Sequence, residues 1–449
     1  MSSQVKRRRV LSASQVVAIS FAAVSLTGTL LLMLPIASVS GTSCGFLPAL
    51  FTATSATCVT GLIVVDTLTA WTLFGQVVII LLIQLGGLGF MTIIFLMALL
   101  VKRKLSLSQR LMAVSNFNLN DMGDIARLVR GALKTTFAFE GIGALILTIC
   151  FWPRHGVAAI WKGVFTSISA FCNAGFDIFG TEKIGSLSTY DDNPVVLLTV
   201  TILIACGGLG FFVWEDVKRK RRWKRLALYS KMVIVMTLFL LAFGTAFFLL
   251  SEYDNAGTMA SMPFGQSLLN ALFQSTTLRT AGFYSISQGA LTDISIVMCI
   301  ILMLTGGSSG SCAGGLKTGT VGVLLLALRS GLRGRETVTI RGRTIPQQKV
   351  LSAVTLLLAV MMLFLAASIA IAVLDDVPYL AAAYETASAM ATVGVTTGIT
   401  PSLGTASHII LIILMYLGRV GFVSFSLAFL AQNPAKSKIS YPEADVMIG

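Results

Sequence analysis

Four short segments of this chain end in a glycine, and each lies between two long apolar stretches. They read FTATSATCVTG (Phe51 to Gly61), FTSISAFCNAG (Phe165 to Gly175), FQSTTLRTAG (Phe273 to Gly282) and YETASAMATVG (Tyr384 to Gly394). The closing glycines, at positions 61, 175, 282 and 394, stand 114, 107 and 112 residues apart. Self-similarity at a near-constant period decides architecture before any single motif does. The repeated unit is an apolar helix, a short half-helix, a glycine turn and a second apolar helix. Four such units can close around one axis, with their glycine turns facing one another. The predicted fold is an all-α membrane protein of four pseudo-repeats. Each repeat is helix–re-entrant pore loop–helix, giving eight transmembrane helices around a central ion pore.

Composition agrees with a bilayer. Of 449 residues, 55% are hydrophobic and only 12% charged, about half the ~25% charge of a soluble domain. The runs Val16–Leu34, Gln76–Val101 and Val350–Leu374 approach or exceed the ~20 apolar residues that cross a ~30 Å hydrocarbon core. The first run follows Lys6–Arg9. It is longer than a signal core of ~7–15 residues and no small-residue cleavage site follows it, so it reads as an uncleaved first helix.

The positive charge is distributed as a topology signal. All but five of the 33 lysines and arginines fall in the clusters Lys6–Arg9, Lys102–Lys134, Lys218–Lys231, Lys317–Lys349 and Lys436–Lys438. The intervening loops carry Asp66, Asp177, Glu182, Asp191, Asp192, Glu252, Asp254, Asp293, Asp375 and Asp376. This positive-inside pattern predicts a multi-pass plasma-membrane protein with both termini cytoplasmic. The run Lys218–Arg225 reads as a patch against anionic membrane lipid, with no nucleic-acid partner.

The chain divides into repeat 1 at 1–101, repeat 2 at 102–225, repeat 3 at 226–343 and repeat 4 at 344–449. Outer helices are expected near 14–34, 127–151, 229–250 and 348–374, and half-helices near 46–57, 160–171, 264–277 and 379–391. Inner helices are expected near 76–101, 195–217, 291–328 and 407–431. The half-helices are too short to span, so they enter and return on one face. Catalysis finds no residues to carry it. His155 and His408 are the only histidines, and the seven cysteines form no CxxC pair, so neither a transition-metal site nor a catalytic triad is expected.

The glycine turns suit an ion that must shed its water. Rings of backbone carbonyls can replace the hydration shell of K⁺, and glycine permits the positive φ that turns carbonyls toward an axis. Each half-helix aims its negative C-terminal end at the same point. The candidate filter residues are Thr57, Cys58, Val59, Thr60 and Gly61; Cys172, Asn173, Ala174 and Gly175; Arg279, Thr280, Ala281 and Gly282; and Thr392, Val393 and Gly394. The K⁺ would be held at these residues.

The inner helices carry a second repeat. LGGLGF (Leu85–Phe90), CGGLGF (Cys206–Phe211) and LGRVGF (Leu417–Phe422) match, and small-residue helix packing is their simplest reading. The third unit breaks the pattern with Gly306, Gly307, Ser308, Ser309, Gly310, Ser311, Cys312, Ala313, Gly314, Gly315, Leu316 and Lys317. So much glycine cannot sustain a helix. The stretch is expected to project, flexible and hydrated, into the pore beneath the filter as a gate. Arg419 stands where the other repeats have Gly87 and Gly208, and an intramembrane charge is a functional candidate. Its guanidinium is expected to reach the cavity near the glycine-rich stretch. Arg279 is expected to brace the third turn, with Glu385, Asp375 or Asp376 as partner, while Glu140 has no assigned role.

The four units, the filter segments, GGSSGSCAGGLKT and LGRVGF together resemble the Ktr/Trk/HKT superfamily of K⁺ transporters over essentially the whole chain. The nearest resemblance is to the membrane-embedded pore subunit of bacterial Ktr K⁺ uptake systems. That family commonly has a threonine where Cys312 stands. In plant relatives a serine at the first filter position accompanies Na⁺ preference, so Gly61 implies K⁺ selectivity. The resemblance also implies a homodimer with one pore per protomer and a cytosolic ring of nucleotide-binding regulatory subunits. ATP or ADP would sit on that ring, Na⁺ would act as an activator, and this chain would bind no cofactor itself. The alternative is a secondary transporter of another monovalent cation, a Na⁺-conducting or Na⁺-coupled member of the same superfamily.

Overall fold

The computed structural model describes residues 13–89, 122–180, 185–335, 337–340 and 342–421. Within them the chain is helical apart from loops and one hairpin, Thr339–Ile340 against Arg343–Thr344. The first unit contains α1 (Ala13–Leu32), α2 (Phe46–Cys58) and α3 (Leu73–Leu88). The second contains α4 (Met122–His155), α5 (Ala158–Phe171), α6 (Pro194–Leu209) and α7 (Phe211–Lys220). The third contains α8 (Leu228–Glu252), α9 (Phe264–Thr277), α10 (Asp293–Leu304) and α11 (Thr318–Gly331). The fourth contains α12 (Gln347–Leu374), α13 (Tyr379–Met390) and α14 (Thr405–Val420).

Length separates these helices into classes. The outer helices α1, α4, α8 and α12 have 20, 34, 25 and 28 residues. At ~1.5 Å per residue all reach about 30 Å or more, and all four are apolar enough to cross a membrane. Their outward faces leave Leu30, Leu145, Leu238 and Met362 exposed, as a helix bathed in lipid requires. The half-helices α2, α5, α9 and α13 have 13, 14, 14 and 12 residues, too short to span. They are the core: from Ala382 to Met390 every residue of α13 is buried.

Small residues let these helices pack close around one centre. Each outer helix contacts the half-helix of its own unit: α1 with α2, α4 with α5, α8 with α9 and α12 with α13. Each inner helix contacts the half-helix of the next unit: α3 with α5, α6 with α9 and α10 with α13. The last inner helix, α14, then contacts α2 of the first unit. The order of packing is therefore cyclic, and the four units form a closed ring.

The inner helices differ from expectation. None is a continuous span. The second stops at Leu209 and restarts after Gly210 as α7, bent by 92°, where a continuous helix over 195–217 was expected. Gly210 (φ 88°) has counterparts in Gly89 (φ 74°) and Gly421 (φ 90°), which close α3 and α14. The last glycine of each LGGLGF-like motif is thus a helix stop of the kind only glycine takes readily. The expected continuations of α3 to 101 and of α14 to 431 lie outside the described residues. At 16, 16, 12 and 16 residues, α3, α6, α10 and α14 rise about 18–24 Å, short of the membrane core.

Candidate functional site

The four glycines meet in order around the centre. A Cβ placed on Gly61 would lie 3.1 Å from the Cα of Gly175, and one on Gly175 would lie 2.7 Å from that of Gly282. A Cβ on Gly282 would lie 3.4 Å from the Cα of Gly394, and one on Gly394 would lie 2.9 Å from that of Gly61. The sequence of neighbours closes on itself. Real Cβ atoms essentially never approach closer than 3.0 Å, so a side chain at these positions would displace the adjoining turn.

Backbone conformation repeats with the same register. The glycines have φ of 97°, 71°, 86° and 96°, and the residues two positions earlier, Val59, Asn173, Thr280 and Thr392, have φ of 58°, 60°, 69° and 53°. Between them Thr60, Ala174, Ala281 and Val393 are not left-handed. Alternating the hand of successive residues keeps successive peptide carbonyls on one side of the chain. A β-branched residue in the left-handed region costs of order 1–3 kcal/mol, and three of the four are Val or Thr. Strain repeated at equivalent positions of a ring marks a functional segment. All sixteen candidate filter residues fall in these turns or the half-helix ends that lead into them.

Hydroxyl groups at the half-helix ends brace the turns, and the sequence reading passed over them. Ser55 Oγ accepts from the Gly61 N–H at 3.1 Å, and Ser388 Oγ accepts from the Gly394 N–H at 3.0 Å. Ser169 Oγ donates to the Phe176 carbonyl at 2.7 Å, and Thr277 Oγ1 donates to the Phe283 carbonyl. The signal was available, since a serine stands six residues before three of the four glycines. Replacing Ser388 with Ala removes an acceptor from a buried N–H, a loss of about 1–3 kcal/mol. A measurable fall in the melting temperature of the detergent-purified protein is expected, with Ser388→Thr retaining more of it. An unchanged melting temperature in Ser388→Ala would remove the hydroxyl from this role.

Directly against the ring sit the first glycines of the inner-helix motifs. A Cβ on Gly86, Gly207 or Gly418 would lie 2.9, 3.0 or 3.1 Å from the carbonyl carbon of Thr57, Phe171 or Met390. The motif therefore works twice: one glycine admits the end of a half-helix, and another stops the inner helix.

Below the ring lies the glycine-rich stretch, between α10 and α11. Gly314 faces the fourth turn, where a Cβ would lie 2.9 Å from the Ala391 carbonyl oxygen. The expectation of a hydrated, loose segment is corrected by its bonds. The Ser308 N–H donates to the Gly208 carbonyl at 3.1 Å, and its hydroxyl donates to the same carbonyl at 2.9 Å. The Phe211 N–H donates to the Gly310 carbonyl at 3.0 Å, and Thr318 N–H to that of Gly307 at 3.0 Å. Stopping α6 at Leu209 exposes the carbonyls that tie this stretch down. Ser311 Oγ donates to the Ser308 carbonyl at 2.7 Å, and Lys317 Nζ to that of Ala313 at 2.7 Å. Tyr229 Oη reaches the Ser309 carbonyl at 3.2 Å. Arg419 donates through Nη1 to the Cys312 carbonyl and through Nη2 to the Gly86 carbonyl. One side chain of the fourth unit so joins the third unit's stretch to the first unit's inner helix.

The expected partners of Arg279 are corrected. Glu385 accepts from the hydroxyls of Thr396 (2.7 Å), Thr397 (3.1 Å) and Thr400 (2.6 Å) and from the Thr397 N–H (2.9 Å). It fastens the loop after the fourth turn. Asp375 accepts from the Gly404 N–H at 3.0 Å, and among the described residues Arg279 Nε has no hydrogen-bond partner. Glu140 gains an assignment to a cluster: Gln84 Nε2 donates to its two carboxylate oxygens at 3.1 and 3.3 Å. In the loop after the second turn, Asp177 accepts from the Phe179 N–H at 3.1 Å. Burial, and then the neighbouring charge of Asp66, push its carboxyl up to about 7 against the pull of that N–H and of Lys162. Among the described residues no three His, Cys, Asp or Glu side chains are grouped to hold a metal ion.

A family profile described as TrkH, cation transport protein, matches residues 2–441. The potassium/sodium uptake protein NtpJ of Enterococcus hirae is 39% identical over 455 residues, covering 100% of this chain and 99% of that one. The Ktr system potassium uptake protein B of Bacillus subtilis is 37% identical, covering 97% of this chain and 96% of that one. Among solved structures, the potassium transporter TrkH from Vibrio parahaemolyticus superposes with a TM-score of 0.71 at 18% identity, over 94% of this chain and 86% of that one.

Proposed function

Because this chain belongs to the TrkH family of cation transport proteins, we propose that it is the ion-conducting subunit of a regulated K⁺ uptake system in the cell membrane. The ring of four positive-φ glycines carries this reading. A K⁺ ion on the axis would exchange its water for carbonyls held in place by four strained turns. The C-terminal ends of α2, α5, α9 and α13 all approach that ring, and their partial negative charge favours a cation there. The glycine-rich stretch then acts as a gate, with Arg419 holding it under the ring. Repelling a cation from the cavity is a further effect of that guanidinium.

A Na⁺-conducting or Na⁺-coupled mode is the second reading, supported by a 39% identical relative whose name couples potassium with sodium. Uptake of ⁸⁶Rb⁺ into proteoliposomes holding the purified chain, with and without Na⁺, separates the two. Rb⁺ uptake competed by K⁺ and not by equal Na⁺ supports the K⁺ pore. Equal competition, or transport of Na⁺ alone, would overturn it.

The active unit in this proposal is a homodimer with both termini cytoplasmic, seated on a cytosolic ring of nucleotide-binding subunits that respond to ATP or ADP. The last turn of α7 and the segment after it support a basic face for that ring. Lys218 is already committed to Thr135 Oγ1 of α4, and Lys220 pairs with Asp216 at 2.6 Å. Among the described residues the side chains of Arg219, Arg221, Arg222 and Arg225 have no such partner, and they are the charges to neutralise. Glutamine at all four should weaken co-purification of the ring and flatten its dependence on salt, because less charge attraction is left for salt to screen. Undiminished co-purification would place the ring elsewhere.

A further inference from the structure

Two cavities join at the end of α11 that lies away from the glycine-rich stretch. The larger, about 320 Å³, runs between α8 and α11 and is lined by Met232, Val235, Met236, Leu325, Leu326 and, from the hairpin, Ile340. The smaller, about 180 Å³, is bordered by Arg329, Arg333 and Arg335 together with Ser330 and Thr339. Leu326 and Arg329 line both, so an apolar groove runs into a pocket walled by three arginines. The chain turns back on itself to build that pocket. The Arg333 and Arg335 N–H groups both donate to the Ser330 carbonyl, at 3.1 and 3.0 Å, and Gly334 between them has φ 62°. Ser330 Oγ donates to the Thr337 carbonyl at 2.8 Å, which draws the hairpin onto the helix end. Like charges gathered in this way repel, and among the described residues no hydrogen bond or ion pair engages the three guanidiniums. Beside them Leu325, Leu328 and Leu332 are exposed, at the three- and four-residue spacing of one helix face. Arginines flanking an exposed apolar stripe suit the membrane–water boundary, with stems in the apolar layer and charged heads in the polar one.

We propose that the two joined cavities bind one anionic phospholipid, its phosphate among Arg329, Arg333 and Arg335 and an acyl chain in the groove between α8 and α11. The planar forks of arginine match phosphate oxygens in pairs, and basic clusters at the membrane boundary are the usual seat of anionic headgroups. Charge alone would admit any phosphate. The groove decides between them: a soluble anion would satisfy the arginines and leave Met232, Val235, Met236 and Leu325 facing water, whereas a phospholipid covers both parts at once. Lys231, in the wall of the groove with its Nζ donating to the Lys224 carbonyl at 2.9 Å, adds a fourth positive charge nearby. The site rests on the membrane setting of the family and not on the K⁺ reading.

The test titrates the delipidated full-length protein in detergent with dioleoyl phosphatidylglycerol and counts bound lipid by native mass spectrometry. Wild type should retain one phosphatidylglycerol per chain at concentrations where phosphatidylcholine is not retained. Glutamine at Arg329, Arg333 and Arg335 together should weaken that binding about tenfold or more, since each basic residue near an anionic headgroup adds its own attraction. Val235→Trp, which fills the groove from an exposed position, should weaken it with the arginines in place. Glutamine at Arg219, Arg221, Arg222 and Arg225 should leave it unchanged. Phosphatidylglycerol binding undiminished in the triple variant, or lost equally from the α7 variant, would overturn the site. Displacement of the lipid by an equal concentration of inorganic phosphate, with Val235→Trp binding as wild type does, would make this a soluble-anion pocket and overturn the lipid. A triple variant that keeps the lipid and loses the regulatory ring would make the pocket a protein-docking face, and the proposal would fall. Should the triple variant not elute as wild type does, Arg333→Gln and Arg335→Gln, each at an exposed residue, decide singly: partial loss of phosphatidylglycerol supports the site and undiminished binding in both overturns it.

Discussion

Serine in place of Gly61 should lower discrimination of K⁺ over Na⁺ by about tenfold or more, with the protein still folded and inserted. The residue sits at φ 97°, where a side chain is strained whatever the space around it. Here there is none. The added Cβ would overlap the Ala174 carbonyl oxygen and lie 3.1 Å from the Gly175 Cα. Relief requires the first turn to withdraw, the second to yield, or both, and either moves carbonyls off the positions at which the proposed filter replaces water. A conformational penalty of about 1–3 kcal/mol corresponds to about 5–150-fold in an equilibrium. Because Gly175 next meets Gly282, displacement passes around the ring and is not confined to one unit. Gly141→Ser is the matched control, since a Cβ there meets nothing within 4 Å. The measurement is K⁺ uptake against rising Na⁺. Wild-type competition in Gly61→Ser, at normal expression, would remove these turns from the selectivity-determining path.

What was legible beforehand follows from how local each signal is. Repetition made the four turns readable, because the same residue types recur at a steady spacing and a half-helix too short to span has few options in a membrane. The outer helices were readable from length and apolarity alone. The break at Gly210 was not, since the glycine of CGGLGF serves equally as a packing contact and as a helix stop, and only the observed φ separates them. The same ambiguity hid the consequence of that break. Carbonyls of Gly207, Gly208 and Leu209, freed at the end of α6, became acceptors for Cys312 and Ser308 about 100 residues away. A stretch that looks unable to hold itself is held by a neighbour. Glu385 was read as a partner for Arg279 because charges attract in an apolar setting. Four threonine-derived donors from the following loop satisfy it instead, and nothing in the spacing of charges announces a hydroxyl cage.

Those tethers sharpen what removing Arg419 should do. Its two donors bridge the Cys312 and Gly86 carbonyls, so it is the link between the proposed gate and the first unit's inner helix. The bonds from Ser308 and to Gly310 fasten the stretch only to the second unit. Without Arg419 the stretch stays attached on one side and is freed on the other, as a hinged flap would be. Flux through Arg419→Ala should therefore rise, and its dependence on the regulatory ring should weaken. Arg419→Lys should fall between, because a single ammonium cannot reproduce a planar fork spanning two carbonyls. Deleting Gly306–Gly310 should also raise flux, but it removes the Ser308 tethers and the Gly310 acceptor as well, so its stability should suffer more. A purely structural Arg419 predicts the opposite order. Losing a buried bridge would then cost folding, and the alanine variant would yield less folded protein and less flux per molecule. Flux per correctly folded protein, measured after detergent extraction and size-exclusion chromatography, distinguishes the two. A well-folded Arg419→Ala with unchanged and still-regulated flux would show that the barrier lies elsewhere.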